Sequence, residues 1–386
     1  MKVIQVHNCY RQHGGVETVL DQTSSALRLA GCQVIEVTAS SREATGLWLN
    51  RVRAFASGLY SSCSYRRVLD IINREMPDVV HIHNLYPLLS HSVVLACASA
   101  GVPTVLSCHN YRLFCPIGRL MCHGIPCDRC ASGQEYWCVL KNCRGNVLES
   151  TAYALHNFSA RAAGVFPHGF NRYVAPSEFV GQRLVRLGID PARLSVIAHM
   201  VEMPRECSDA RSGGYVGYVG RITEDKGVRD LIAAATQLRI PLHIAGTGED
   251  VTDMAKSAGP DIRFVGHLDR QQLGRFYSGA RFIVMPSKCI ETFGLAAAEA
   301  MAHGRPVVAS SMGALPEIVV DGQTGFLFPA GDGLALKALL HRLWGDTGLC
   351  STMGSAARER AFHEYHPDRY VDRLLHAYRT TISTSQ

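Results

Sequence analysis

The sequence has no run of about 18 apolar residues, so no segment of it is expected to cross a membrane as a helix. Charged residues are scarce, at 19% of 386, and 47% of the residues are hydrophobic, which excludes a disordered chain or a coiled coil. Short repeats and low-complexity tracts are absent, and the N-terminus MKVIQVHNCY lacks the pattern of a secretory signal. We therefore expect a packed, cytoplasmic protein of two or three domains.

The chain has no strong excess of either charge: it contains 39 Lys and Arg and 33 Asp and Glu, which gives a formal net charge of +6. Residues 1–200 hold 19 of the basic and 12 of the acidic residues, so the first half is mildly basic. This excess suits an anionic ligand or surface and is too weak to predict nucleic-acid binding. Residues 47–67 combine an apolar helical stripe with arginines; a core-facing helix is the favoured interpretation, and peripheral binding to an anionic membrane is the alternative.

Short β-branched runs alternate with helical patterns along the whole chain, which is typical of doubly wound parallel α/β sheets. The polar segment 204–214 (PRECSDARSGG) interrupts the pattern, which then starts again. Two Rossmann-like domains are therefore expected, with ligands bound in a cleft that the carboxyl edges of the two sheets face. The predicted strands are 2–6, 34–38, 79–83, 104–108, 215–220, 242–245, 263–265, 282–285 and 306–309.

The densest chemical signal is 288–310 (KCIETFGLAAAEAMAHGRPVVAS), which predicts a short alanine-rich helix followed by a strand. Backbone amides at Gly294 and Leu295 would form a positive helix terminus that can hold phosphate oxygens. Glu291 lies just before this terminus, and Glu299 lies inside the helix. Carboxylates would repel phosphate there unless they face hydroxyl groups, so the diols of a ribose and a sugar are their natural partners.

Two further strand ends in the second half carry polar or glycine-rich turns. In 215–232 (YVGYVGRITEDKGVRDLI), Arg221 and Lys226 flank the turn after a hydrophobic strand and could neutralise a diphosphate. In 243–250 (HIAGTGED), a strand is followed by Gly-x-Gly without the third glycine of the dinucleotide fingerprint. That turn fits either a close approach to a ligand or an ordinary strand-to-helix connection.

In the first half, Gly14 and Gly15 follow the first strand and open a helix, where paired glycines allow backbone contact with an anion or a sugar. His109 ends the strand VLSCHN and would point toward the expected cleft. His81 and His83 share one face of a strand, and hydrogen bonding at the sheet edge is favoured there over a metal pair.

Taken together, these motifs resemble the family 4 glycosyltransferases, retaining enzymes of the GT-B fold. The resemblance covers nearly the whole chain and rests on GGVE, the HN at His109, GRITEDKG, AGTGED, FVGHL, the Glu291/Glu299 pair and PEIVVDGQTGFLF at 316–328. The chain departs from the family pattern at 196–201 (VIAHMV) and 312–316 (MGALP), so the resemblance does not identify the acceptor or the sugar.

The resemblance implies a nucleotide-diphosphate sugar as donor and a glycan, a lipid-linked molecule or a small molecule as acceptor. Residues 1–203 would form the acceptor-side domain, 204–366 the donor-binding domain, and 367–386 a helix that crosses back to the first domain. A lipid-linked acceptor would bring the protein to the inner face of the membrane.

The resemblance also implies roles for individual residues. Arg221 and Lys226 would neutralise the diphosphate, and His109 would line the reaction centre. Glu291 would hold hydroxyls of the donor sugar. The remaining expected donor contacts are Gly15, Gly266, His267, Leu268, Gly294, Leu295 and Glu299. The sequence contains no Asp-x-Asp, so no cofactor or divalent ion is expected in catalysis.

Six of the 14 cysteines lie in a loop-like insertion at 111–145. Cys127-x-x-Cys130 is a common half of a tetrahedral metal site, and Cys115 and Cys143 could complete it as a structural zinc site. Free thiols, disulfides and an iron–sulfur cluster stay open as alternatives. Two other functions also stay open: a nucleotide-sugar epimerase of the same fold, and a zinc-containing binding module.

Overall fold

The computed structural model describes residues 1–9, 14–40, 55–256 and 258–385. Its contacts divide into two compact units, Met1–Ala198 with Asp368–Gln386, and His199–Pro367. The boundary between the first and the second unit, after Ala198, therefore lies a few residues before the 203/204 boundary expected from sequence. The backbone N–H of Val201 donates to the carbonyl of Tyr365 at 3.0 Å, which attaches this short stretch to the second unit.

The first unit contains a six-stranded sheet that is parallel throughout, in the order β2-β1-β3-β4-β7-β8. The two remaining strands, β5 and β6, form a small antiparallel pair inside the cysteine-rich insertion. All four strands predicted for this half are present, whereas β7 and β8 have no counterpart in the prediction. The strands are β1 Lys2–Cys9, β2 Gln33–Ser40, β3 Val79–Asn84, β4 Thr104–Ser107, β5 Met121–Cys122, β6 Ile125–Pro126, β7 Arg172–Ala175 and β8 Leu194–Val196.

Helices connect these strands, and the C-terminal helix joins them. Tyr370 and Thr23 share a hydroxyl–hydroxyl bond of 2.9 Å, and the Arg172 guanidinium donates to Thr381 at 2.8 Å, so this helix is tied to the first unit. Of the 47–67 segment, residues 47–54 lie outside the described residues, and helical structure begins at 55. The helices are Gly15–Leu29, Ser62–Glu75, Ser92–Ser99, Tyr136–Leu140, Val147–Ala162, Glu178–Arg186 and Pro367–Ser385.

The second unit repeats the plan with a parallel sheet in the order β11-β10-β9-β12-β13-β14. All five predicted strands are present, and β14 is additional. The strands are β9 Tyr215–Val219, β10 Leu242–Ala245, β11 Ile262–Gly266, β12 Ala280–Met285, β13 Val307–Ser310 and β14 Gly325–Phe328. The helices are Val228–Leu238, Val251–Lys256, Arg270–Gly279, Leu295–Ala302, Leu315–Ile318, Gly333–Gly345 and Thr347–Tyr365.

Each sheet has one point at which the strand order reverses. In the second unit the chain builds outward from β9 to β11 and then returns to the other side of β9 with β12. In the first unit the reversal lies between β1 and β3. Open α/β sheets bind ligands at the carboxyl ends of the strands that flank such a point. None of the helices in the described ranges is long and apolar enough to cross a membrane.

Candidate active site

An ion pair lies where β9 and β12 end, at the strand-order reversal of the second unit. The ammonium of Lys226 is 2.6 Å from Oε1 of Glu291, and the two side chains are only 16% and 13% exposed. The hydroxyl of Ser287 donates to the same carboxylate oxygen. Burial raises the pKa of Glu291, but the charge of Lys226 and these hydrogen bonds outweigh burial and hold that pKa below its usual value. The pair is therefore ionised at neutral pH.

A second cation stands beside this pair. Arg221 follows β9, its side chain is exposed, and its carbonyl accepts a 2.6 Å bond from the buried hydroxyl of Tyr218. Its positive charge helps to lower the pKa of Glu291 and opposes the net rise in the pKa of Lys226, so it lies within electrostatic reach of each. Lys226 and Arg221 thus bring two positive charges to the loop ends beside Glu291, an arrangement that suits the binding of a phosphate group.

Close backbone contacts fix the two loops that carry these side chains. Gly227 has φ +69°, and a Cβ there would lie 2.0 Å from the Pro286 carbonyl oxygen, so only glycine lets the loops approach. The amides of Lys288 and Cys289 both donate to the Asp225 carbonyl, at 2.9 and 3.0 Å. The positions of Lys226 and Glu291 are therefore set by main chain on both sides.

A third loop supports Glu291 from the other side. The amide of Ala314 donates to the Glu291 carbonyl at 3.0 Å. Gly313 has φ +64°, and a Cβ there would lie 2.2 Å from the same oxygen. This loop is the 312–316 segment that departs from the family pattern, and here it acts as a support for the acidic residue.

The predicted helix terminus is present as Leu295–Ala302, with Gly294 as N-cap in the left-handed region at φ +114°. The amides of Ala297 and Ala298 donate to the Gly294 carbonyl at 2.9 and 3.2 Å, and the amides before them stand at the positive end of the helix dipole. The helix ends at Gly304 with φ +69°, as its sequence predicts.

Glu299, one turn further along this helix, has a separate partner. The buried hydroxyl of Tyr277 donates to its carboxylate at 2.7 Å, so Glu299 does not join the Lys226–Glu291 pair. Burial raises the pKa of Glu299 to about 7, and the Tyr277 bond offsets only part of that effect. The carboxyl group is half-buried and titrates near neutral pH.

Gly266, His267 and Leu268 lie at the same edge of the sheet, at the end of its outermost strand β11. The Gly246 amide donates to the Gly266 carbonyl at 2.7 Å, and a Cβ on Gly266 would meet no atom within 4 Å. His267 is exposed and Leu268 half-buried. These residues are two strands away from β9, a separation that suits the far end of an elongated ligand.

In the first unit, Gly15 begins the helix that follows β1, with Gly14 as its N-cap. Both glycines are exposed, and the Gly14 amide donates to Oε2 of Glu17 at 3.1 Å. The other carboxylate oxygen of Glu17 lies 3.5 Å from Nε2 of the buried His7. This turn is therefore closed by Glu17, while its glycine backbone stays open to solvent.

A chain of buried histidines extends from His109 into the first unit. Nε2 of His109 lies 2.9 Å from Nδ1 of His83, and the two rings are stacked. The ring of His81 is 4.2 Å from that of His83 and is held between the hydroxyls of Ser107 and Tyr378, at 2.8 and 2.6 Å. Burial lowers the pKa of His81 to about 3, so it is neutral. The structure confirms hydrogen bonding at this sheet edge.

The four predicted metal ligands lie together with two further cysteines around one small cavity of the first unit. Its thiol lining consists of Cys115, Cys122, Cys127, Cys130, Cys138 and Cys143. All six are free thiols, and the sulfurs of Cys122 and Cys143 are 3.7 Å apart. Within the described residues, no three His, Cys, Asp or Glu side chains are spaced as metal ligands.

Comparisons of the sequence with known proteins identify the family of this chain. The chain matches the model of Glycosyltransferase Family 4 over residues 13–204 and that of Glycosyl transferases group 1 over residues 213–346. Alpha-maltose-1-phosphate synthase of Mycolicibacterium smegmatis is 31% identical over 341 residues, which cover 80% of each protein. The chain belongs to glycosyltransferase family 4.

Two other relatives show how far the similarity reaches. Glycogen synthase of Mycobacterium tuberculosis is 35% identical over 193 residues, so the match covers 47% of this chain and less than half, 44%, of that relative. The structure of Anabaena HepE in complex with UDP-glucose superimposes with a TM-score of 0.69 at 16% identity, covering 98% of this chain and all of the other. This likeness confirms the predicted GT-B fold.

Sequence reasoning missed several hydroxyl groups that contact the predicted site residues and their neighbours. Ser287, Tyr277 and Tyr378 bond directly to Glu291, Glu299 and His81. Ser287 is four residues before Glu291, and that proximity could have pointed to it. The two tyrosines are brought to their partners by helix packing, and no local pattern identifies them.

Proposed function

We propose that this glycosyltransferase moves a sugar from a nucleotide-diphosphate donor to a glycan, lipid-linked or small-molecule acceptor, with retention of configuration and without a catalytic metal ion. The observation that carries the proposal is the ionised Lys226–Glu291 pair, with Arg221 beside it, at the strand-order reversal of the second sheet. The binding of UDP-glucose by the structurally similar HepE supports a donor of this class.

The two cations serve the leaving group. When the bond from the sugar to the diphosphate breaks, negative charge grows on the diphosphate oxygens while the sugar becomes oxocarbenium-like. Lys226 keeps two N–H donors beyond the one it gives to Glu291, and Arg221 adds a planar fork of donors. Helix amides at Gly294 and Leu295 supply further positive potential. In this proposal these groups take the place of a divalent ion.

The carboxylates bind hydroxyl groups of the same donor. Glu291 uses Oε1 for Lys226 and Ser287, so Oε2 is the oxygen that would accept from the sugar hydroxyls. Glu299, supported by Tyr277, would accept from the ribose. Gly266, His267 and Leu268 would contact the base through the exposed turn after β11. Burial and the fixed main chain hold the Glu291 carboxylate in place before the donor arrives.

His109 is the residue of the first unit that would line the reaction centre, and Gly15 would offer backbone contact to a phosphate or to the acceptor. His83 would act on His109 as a positioning residue, because the 2.9 Å bond between their rings holds the orientation of His109. His81 supports His83 from below through ring contact.

Retention requires no side-chain nucleophile in this proposal. The acceptor hydroxyl attacks C1 on the face from which the diphosphate departs, and the departing phosphate oxygen takes the hydroxyl proton. One C–O bond to the donor phosphate breaks, and one C–O bond to the acceptor forms. The protein contributes charge stabilisation and positioning, which are large terms in group transfer.

A thermal-shift screen over nucleotide-diphosphate sugars tests donor binding, since a ligand that binds the folded state raises the unfolding temperature. The selected donor is then incubated with candidate acceptors, and NMR of the new anomeric proton reports the configuration. A shift with diphosphate sugars, together with a retained anomer, is expected. An inverted product contradicts the retaining mechanism, and a changed sugar formed without any acceptor favours an epimerase.

Metal independence has its own test. Turnover is measured in magnesium-free buffer with EDTA, while the metal content of the same sample is recorded. Unchanged turnover is expected; a loss that added Mg²⁺ restores contradicts this part of the proposal.

Co-sedimentation with anionic and with neutral vesicles tests whether a lipid-linked acceptor would be met at a membrane surface.

A further inference from the structure

Exposed apolar side chains are concentrated on one part of the first unit. Among the described residues, fourteen large hydrophobic side chains are at least 38% exposed, and seven of them lie within residues 125–158. Half of these side chains thus fall on less than a tenth of the chain, and such a concentration marks an interaction surface. We call this set the apolar face; its members are Ile125, Tyr136, Leu140, Val147, Leu148, Leu155 and Phe158.

The helix Val147–Ala162 carries the largest part of the apolar face. Leu148, Thr151, Leu155, Phe158 and Ala162 recur at intervals of three and four residues, so they share one side of this helix, and none of them is charged. Leu148 is 82% exposed and Phe158 58%. The other side of the helix packs into the first unit through its buried residues Ser150, Ala154, His156, Asn157 and Ala160. The fold therefore does not use the apolar side.

Neighbouring elements extend this surface without a break. The short helix Tyr136–Leu140 packs directly against the longer helix and carries Leu140, which is 69% exposed. Nε2 of His123, in the turn between β5 and β6, bonds to the Lys141 carbonyl at 2.7 Å. This bond holds the two-stranded pair, with its exposed Ile125, at the end of the short helix. The apolar face is therefore carried by one connected group of elements.

Basic side chains border the apolar face. Lys141, Arg129 and Arg144 are exposed, and Arg129 lies 4.8 Å above the ring of Trp137 in the short helix. Residues 111–168 contain six Lys and Arg against three Asp and Glu. Each of the three acids is paired with an arginine, so the charge left at this border is positive. These acids are Asp128, Glu135 and Glu149.

We propose that the apolar face is a docking surface for an anionic lipid bilayer. Leu140, Leu148 and Phe158 would enter the region between the headgroups, and the bordering cations would lie at the level of the headgroup phosphates. An uncharged side of a helix with lysine and arginine beside it is the pattern of a surface that lies on a membrane. The inference rests on the proposed function, and of the three acceptor classes named there it selects the lipid-linked one.

A second copy of the chain fits the apolar face less well. A two-fold interface joins the same patch of both subunits, so the apolar face of one copy would meet that of the other. The cations Arg129, Lys141 and Arg144 of the two copies would then be brought together, and like charges oppose association. Anionic headgroups instead supply charge that is complementary to this border.

The test is co-sedimentation of the full chain with vesicles of equimolar phosphatidylglycerol and phosphatidylcholine, and with vesicles of phosphatidylcholine alone. Stronger binding to the anionic vesicles is expected, and added salt should weaken it by screening the cations. Leu148→Gln/Phe158→Gln should lower the partition coefficient by about 10–100-fold, because two apolar side chains no longer enter the bilayer. Absence of binding to anionic vesicles, or equal binding by wild type and this variant, overturns the proposal.

The second unit offers a matched control for these substitutions. Leu334 and Phe362 are 83% and 56% exposed on helices of that unit, nearly the same as Leu148 and Phe158. Leu334→Gln/Phe362→Gln should therefore bind vesicles like the wild type, and a loss as large as that of the first variant contradicts the assignment of the surface. Arg129→Gln/Lys141→Gln should lower binding to the anionic vesicles by about 10–30-fold. Unchanged binding by this variant contradicts the role of the cations.

Donor binding is measured separately, by thermal shift without vesicles. Leu148→Gln/Phe158→Gln should respond to the donor as the wild type does, because its substitutions lie on an exposed surface of the first unit. Vesicle binding without any donor response supports the docking surface and contradicts the proposed function, whereas a donor response without vesicle binding does the reverse. Sedimentation velocity tests the second copy: a wild-type dimer that these two substitutions dissociate overturns the proposal.

Discussion

The first prediction concerns Lys226→Met, which removes the ammonium and keeps most of the side-chain volume. Glu291 then stays behind as a largely buried carboxylate that has lost its 2.6 Å partner. Removing one partner of a buried ion pair costs about 3–5 kcal/mol, and the slight exposure of this pair favours the lower end. For a unit of this size, 1 kcal/mol corresponds to about 2–4 °C, so an unfolding temperature lower by about 6–12 °C is expected.

The same variant should change the pH dependence of stability, and the sign follows from Glu291. In the native protein Lys226 holds the pKa of Glu291 below its usual value, so the pair stabilises the fold above that usual value and loses this effect as the pH falls through the folded pKa. In Lys226→Met only the Ser287 bond and the charge of Arg221 still oppose burial, so the pKa of Glu291 rises. The variant should therefore recover part of its lost stability as the pH falls from 8 to about 5.

The assay is a double-mutant cycle by thermal and urea unfolding with Lys226→Met, Glu291→Gln and the double variant. A coupling free energy of about 1–3 kcal/mol is expected, because the double variant buries no unpaired charge. Activity should behave differently and stay about 10²–10³-fold lower in the double variant, since the diphosphate still lacks its cation. Lys288→Ala, which removes a surface ion pair with Asp230, is the control and should change little. A coupling energy near zero would refute the reasoning.

Three further predictions concern other parts of the site. Glu299→Gln should abolish a rise in donor affinity with pH: the wild-type pKa of about 7 means that the acceptor carboxylate forms only above it, which calorimetry at several pH values measures. Because this pKa is raised in the folded state, the free energy of unfolding of the wild type should decrease as the pH rises from about 4.5 to 7, and the variant should lack this slope. His83→Asn should lower kcat by about 10–100-fold with KM little changed, and should shift the pH profile, because His109 loses its orienting bond. Gly313→Ala should lower both stability and activity, because its Cβ would meet the Glu291 carbonyl.

Each of these variants has a matched control. Gly322→Ala carries the same backbone cost at φ +74° but its Cβ meets nothing within 4 Å, so it should lose only about 1–2 kcal/mol and keep its activity. Glu359→Gln and His376→Asn alter exposed residues of the same types and should leave the pH dependence and kcat unchanged. If a control variant shows the same change in stability, pH dependence or kcat as the variant it is paired with, the corresponding prediction is contradicted.

The strands predicted from sequence are those with long apolar, β-branched runs. β7, β8 and β14 were missed because their local pattern is weak: Arg172 begins β7, Gly325 begins β14, and β8 has only three residues. Pairing with neighbouring strands keeps them extended. The helix of Leu295–Ala302 was predicted together with its end at Gly304, because capping residues act locally. Local signals thus predicted the strands and the helix start that carry the charged loops of the site, whereas the strand order comes from the structure.

The partners of the site residues depend on contacts that sequence does not display. Tyr378 reaches His81 across 297 positions, and Tyr277 reaches Glu299 from a neighbouring helix. The cysteines of residues 111–145 are separated by irregular turns, and the fold places Cys130 and Cys138 in one buried cluster with Cys143 packed against it. Sequence spacing alone does not display these contacts.

The central claim is that Lys226 and Arg221 hold the diphosphate of the donor. Calorimetric titration of the wild-type protein and of Lys226→Met with the nucleoside diphosphate and the nucleoside monophosphate of the selected base tests it most directly. The account predicts that the wild type prefers the diphosphate clearly and that the variant loses this preference while it still binds the monophosphate. An undiminished preference for the diphosphate in Lys226→Met would contradict it.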